Sequence, residues 1–181
     1  MDNTNLDLPI ALAESYSSLS QKARVTTESW VVTNISCPNC LGDLQPYASN
    51  TKGKDVYCVV CGENFQIKSK KGKFSNKITG AEYQTTRNVF SSEEKPSLML
   101  LHYDLATMKV INLAIIHKSS INVMCIIPRK PLAITARRAG WQGCIIDLSI
   151  IPNSAIIKVV ENANIISMAV VQEKWRAVNS L

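Results

Sequence analysis

Six cysteines occur in 181 residues, and four of them fall in two CxxC pairs, Cys37 with Cys40 and Cys58 with Cys61, seventeen residues apart. Each pair turns two thiolates onto one ion, and two pairs complete a closed tetrahedral Zn²⁺ site, structural because no coordination position stays open. A disulfide framework needs an oxidising compartment, for which the chain carries no signal. Cys125 and Cys144 sit in apolar runs and read as buried thiols. A different chemistry flanks the second pair: Asp55 stands three residues before Cys58, and Gln66, Ile67 and Lys68 begin five residues after Cys61. The second knuckle is therefore expected to be the turn of a hairpin, with Gln66 and Lys68 on one face and Phe65 and Ile67 on the other. An acid facing an amide oxygen and a lysine suits metal-dependent phosphodiester hydrolysis. Asp55, the Gln66 amide oxygen and the Ile67 carbonyl are the expected Mg²⁺ ligands. Lys68 would orient or deprotonate the attacking water and stabilise charge on the phosphate.

The elements that must hold these residues are read from pattern. A frayed start before about Pro9 leads into a short helix over Ile10 to Ser17. A second helix, capped by Ser20, covers Gln21 to about Thr33 with Ala23, Thr27, Trp30 and Val31 at helical spacing. On this helix Glu28 reads as an exposed glutamate and only a minor candidate for the metal site. The zinc module spans about 36–65, and no Pro or Gly linker separates it from the chain beyond it, so it reads as an insertion. A helix is expected from Ala81 to Phe90 and another from Met168 to Val178. Strands are expected over Ser97 to Tyr103, Lys109 to Ile116, Ile121 to Ile127, Ile145 to Ile151 and Ala155 to Val160. Met99, Met108 and Met124 read as strand residues, Trp30 and Trp175 as core, and His102 and His117 as structural or exposed.

Hydrophobic residues make up 46% and charged residues 19% of the chain, which excludes a disordered or low-complexity protein. No apolar run approaches the roughly 20 residues of a membrane span, and the acidic start is unlike a signal peptide, so the expected location is cytoplasmic. Twenty Lys and Arg against fourteen Asp and Glu leave a net charge of +6, which favours a polyanion partner. The charge is concentrated in Lys68, Lys70, Lys71, Lys73 and Lys77, and again in Arg129, Lys130, Arg137 and Arg138.

Five blocks carry a resemblance that runs over nearly the whole chain: Ser20 to Val31, Cys37 to Cys40, Asp55 to Cys61, Phe65 to Ser75 and Arg129 to Ser149. The sequence resembles the methyl-directed restriction endonucleases of the DpnI and Dam-replacing family, within the PD-(D/E)xK nuclease superfamily. The resemblance implies a mixed α/β core, a central sheet flanked by helices, with the four-cysteine zinc module embedded in it. It also implies Mg²⁺-dependent hydrolysis of double-stranded DNA at GATC containing N6-methyladenine. Asp55, Gln66 and Lys68 take the catalytic positions, although the superfamily's second acid is here the uncharged Gln66. Lys70, Lys71, Lys73, Arg137, Arg138 and Trp141 are the expected DNA-binding residues. Composition alone would bury Trp141, whereas the resemblance puts it against the methylated adenines. DpnI-type enzymes continue into a C-terminal winged-helix domain near where this sequence stops, so residues 1–181 read as a single nuclease domain, either the catalytic domain of such a protein or a single-domain member, acting as a monomer. Two other functions fit parts of the pattern: a zinc-containing methyl-DNA-binding protein weak or inactive in cleavage, kept open by Gln66, and a zinc-stabilised protein-interaction module.

Overall fold

The structure is a computed structural model that describes residues 5–180. A seven-stranded mixed sheet has the spatial order β1 (Leu44–Pro46), β2 (Val56–Cys58), β3 (Asn64–Lys70), β5 (Ser97–Asp104), β6 (Lys109–Ile116), β9 (Ile156–Glu161) and β10 (Asn164–Ile165). A second sheet of three strands has the order β4 (Lys77–Glu82), β8 (Gly143–Asp147) and β7 (Ile126–Pro128). Within the described residues only β3 and β5 pair in parallel, with Gln66 opposite Leu98 and Lys68 opposite Leu100. Parallel neighbours need a long crossover, and the chain makes it through β4 and helix α2 (Tyr83–Ser91). Residues Ser97 to Leu101 of β5 are all buried, as befits a central strand covered on both faces.

Helix α1 (Leu19–Asn34) starts two residues before the expected point, because Ser18, not Ser20, caps it by accepting from Gln21 N at 3.5 Å. Trp30 and Val31 are fully buried as expected, and Trp30 Nε1 donates to Asn5 O at 2.6 Å. The stripe also takes in Thr26 and Thr27, whose hydroxyls are satisfied by backbone carbonyls one turn back. Helix α3 (Met168–Asn179) buries Trp175 against Phe65 of β3, with ring centroids 6.0 Å apart, and against His117 at 4.3 Å.

Several local expectations are corrected. The expected helix at Ile10 to Ser17 is a single 3₁₀ turn over Ile10–Ala13, too short to nucleate further. Of the expected frayed start, residues 1–4 lie outside the described residues. From Asn5 the chain is tied down: Asn5 N donates to the Asn34 side chain, and Leu8 N to Met108 O at 2.9 Å. The expected strand Ile121 to Ile127 is broken because Asn122 Oδ1 accepts from Met124 N at 2.8 Å, which forms a 3₁₀ turn and leaves only Ile126–Pro128 extended. Met124 is accordingly 75% exposed. Met108 is a turn residue with φ 51° that ends the Asp104-capped β5–β6 connection. The strand expected to reach Ile151 stops at Asp147, whose carboxylate accepts from Ser149 N. No described helix is long and apolar enough to cross a membrane.

Candidate active site

The two knuckles are built alike. In the first, Cys37 N donates to Gly42 O (2.8 Å) and Leu41 N to Cys37 O (2.8 Å); in the second, Cys58 N donates to Glu63 O (2.8 Å) and Gly62 N to Cys58 O (3.1 Å). Each turn requires a left-handed residue after its last cysteine, and Leu41 (φ 64°) and Gly62 (φ 79°) fill that place. The four Sγ atoms lie within 4.8 Å of one another, with Cys37–Cys61 at 3.7 Å and Cys40–Cys58 at 3.4 Å. A zinc–sulfur tetrahedron has edges of about 3.8 Å, so the cluster is spaced to hold such an ion. Burial raises the Cys37 thiol strongly. At Cys58 burial pushes the same way but is outweighed by the N–H groups of Cys61 and Val60 and by the neighbouring thiols, which bring it down to about 7. The chain end is fastened to this cluster by α3, where Gln172 Nε2 donates to Asn39 O at 3.0 Å.

The second knuckle is the turn between β2 and β3, as expected, with Asp55 N donating to Phe65 O at 2.8 Å. Where the β2–β3 ladder ends, the Asp55 side chain continues it: Oδ2 accepts from Ile67 N at 2.6 Å. A strand residue directs its N–H and C=O to the same side, so the Ile67 carbonyl also faces Asp55. Alternation gives Phe65 to α3 and turns Gln66 and Lys68 to the opposite face. Gln66 is only 8% exposed; its Nε2 donates to Gly53 O at 3.2 Å, while its Oε1 is buried without a protein partner. Burial lowers the Lys68 ammonium and the Asp55 charge opposes that shift, yet the two make no direct ion pair.

Glu28 completes the cluster from above. Its side chain is 17% exposed and lies 3.9 Å from Arg24. Burial, then the charge of Asp55, pushes the Glu28 carboxyl up to about 7. Asp55 is itself raised by burial and held back by Ile67 N–H, Lys68 and Glu28. Sequence reasoning ranked Glu28 low as an exposed helix residue. The available signal was its place at the border of the stripe formed by Thr27, Trp30 and Val31.

Lys70, Lys71 and Lys73 are exposed at and beyond the end of β3. Arg137, Arg138 and Trp141 lie apart from them in the β7–β8 connection, where Trp141 is half-buried under the Arg138 guanidinium, 4.9 Å from its ring centroid.

Fold and site define a mixed α/β protein in which a four-cysteine cluster able to hold a metal ion anchors a half-buried acid, a buried amide and a half-buried lysine. Residues 4–181 match the family model described as DpnI, the Dam-replacing family, and the chain belongs to that family. It is a family of methyl-directed restriction nucleases, with DNA as the substrate.

Proposed function

We propose that this protein is a methyl-directed endonuclease of the PD-(D/E)xK type, hydrolysing double-stranded DNA at GATC that carries N6-methyladenine. Residues 1–181 then form one nuclease domain, with the zinc module at about 36–65 as an insertion. The observation that carries the reading is Asp55, bonded to Ile67 N on a hairpin hung from the cysteine cluster, between Gln66 with its buried, unpartnered Oε1 and Lys68, and coupled to Glu28.

The donor set fits a hard divalent cation. Two carboxyl groups act on each other's charge, a buried amide oxygen has no protein partner, and a backbone carbonyl faces one of the two acids, giving oxygen ligands only. Asp55, Gln66, the Ile67 carbonyl and Glu28 would hold Mg²⁺, with Glu28 supplying the negative charge that Gln66 lacks. Bound Mg²⁺ supplies Lewis-acid polarisation of the scissile phosphate. Lys68, its ammonium weakened by burial, would take the proton from the attacking water when it is the neutral amine, or, as the ammonium, stabilise the charge gathering on the phosphate oxygens. Lys70, Lys71 and Lys73 hold backbone phosphates, and Trp141 packs on the adenine methyl with Arg137 and Arg138 beside it.

The test is digestion of fully methylated, hemimethylated and unmethylated GATC duplexes with Mg²⁺, using wild type, Asp55→Ala and Lys68→Ala. The wild type should cut methylated DNA, and each variant should bind it without cutting. Equal cutting of methylated and unmethylated sites overturns the specificity, and cleavage by Asp55→Ala overturns the site. Binding of methylated DNA by the wild type without cutting identifies a methyl-DNA-binding protein instead.

A further inference from the structure

The β7–β8 connection continues the hairpin as a two-stranded ribbon. Arg129 N donates to Gly143 O (3.0 Å), Leu132 N to Trp141 O (2.9 Å) and Gly140 N to Leu132 O (3.0 Å), while Gln142 Nε2 closes on Arg129 O at 2.9 Å. At the tip Ala136 N donates to Ala133 O at 2.8 Å, which makes Ile134 the first corner of a four-residue turn. The Ile134 side chain is 92% exposed, more than any other large apolar residue described. Turn corners favour proline and small polar residues, so a β-branched apolar side chain in this place is not explained by the turn itself.

Its surroundings select the partner. Arg129, Lys130, Arg137 and Arg138 are all exposed, and no acid occurs between residues 129 and 142. Such a ribbon fits a polyanion with an apolar feature on its surface. DNA has one on its unmodified bases, the thymine C5-methyl, and it projects into the major groove, which is wide enough to admit a two-stranded ribbon.

Resting on the DNA reading above, we infer that Ile134 is a specificity residue that packs on a thymine methyl in the major groove while the four cations hold the flanking phosphates. This contact is separate from that of Trp141, which lies at the base of the ribbon and is half-buried. Ile134 touches nothing that holds the fold, so its substitution leaves the turn intact.

The experiment is a binding cycle without Mg²⁺, using wild type and Ile134→Ala on methylated GATC duplexes carrying thymine or uracil in the site and its immediate flanks. Uracil removes only the C5-methyl. The wild type should bind the uracil duplex about three- to fivefold more weakly, the value of one buried methyl group. Ile134→Ala should bind thymine DNA more weakly by a similar factor and show no further loss on uracil. An Ile134→Ala protein that still loses the full factor on uracil overturns the inference, as does a wild type indifferent to uracil, and both leave the DNA reading standing. A wild type that binds neither duplex overturns that reading as well.

Discussion

Glu28→Gln tests the pairing of acids at the centre of the site. Without Mg²⁺ the folded chain keeps a proton on Glu28 up to about pH 7, against an ordinary value of 4.5. Between those values the unfolded chain has released a proton that the folded chain retains. Stability therefore falls as pH rises, by about 1.4 kcal/mol per pH unit. The contribution is complete below 4.5 and lost above about 7, a total on the order of 3 kcal/mol. Solvent screening takes little from this figure because the side chain is only 17% exposed. Glutamine carries no such proton, so the stability of wild type relative to Glu28→Gln should drop by about 2 to 3 kcal/mol from about pH 5 to about pH 8. Urea unfolding followed by the fluorescence of buried Trp30 and Trp175 reads this as a midpoint difference that changes by roughly 1 M. The buffer must omit both Mg²⁺ and chelator, so that zinc stays in place. Added Mg²⁺ should restore the wild type at the upper pH, where the carboxylates are free to bind it, and restore the variant less. Parallel pH profiles for the two proteins would refute the coupling of the two acids and remove Glu28 from the site.

Gln66→Glu adds a third carboxyl beside Asp55 and Glu28 and gives up the bond to Gly53 O; it should cost about 1–3 kcal/mol of metal-free stability while lowering the Mg²⁺ concentration needed for cleavage, as urea unfolding and a Mg²⁺ titration will show. Protein purified without chelator should hold one zinc per chain by metal analysis, and stripping it should abolish cleavage by loosening the hairpin that carries Asp55 and Lys68. Trp141→Ala should reduce the preference for methylated over unmethylated duplex by about fivefold per methyl sensed and total affinity less, measured as a ratio of binding constants. Neutralising Lys70, Lys71 or Lys73 should instead weaken binding to all duplexes and flatten its salt dependence.

The features legible in the sequence were those fixed over short spans. The paired CxxC spacing located the cysteine cluster, and the same spacing set Asp55 just before β2, beside the strand that carries Gln66, because a knuckle is a turn. The long apolar runs of β5 and β6 and the ends of α3 were legible for the same reason. Glu28 was not, because its environment is made by a hairpin that packs on α1 from more than twenty residues away. Local side-chain capping was the other blind spot. Asn122 and Asp147 each spend a side-chain oxygen on a backbone N–H two residues on and end an apolar run that reads as strand. The sheet order and the parallel pairing of β3 with β5 have no local signature at all.

The outer strands of the seven-stranded sheet are its shortest together with β2. At one edge β1 has three residues and ends in Pro46, and at the other β10 has two. Such edges offer almost no ladder to a second chain, so this sheet is closed to growth by strand addition. A partner of this protein, a second copy included, would therefore meet this sheet through its side chains, because its edges give no length of backbone on which to extend the ladder.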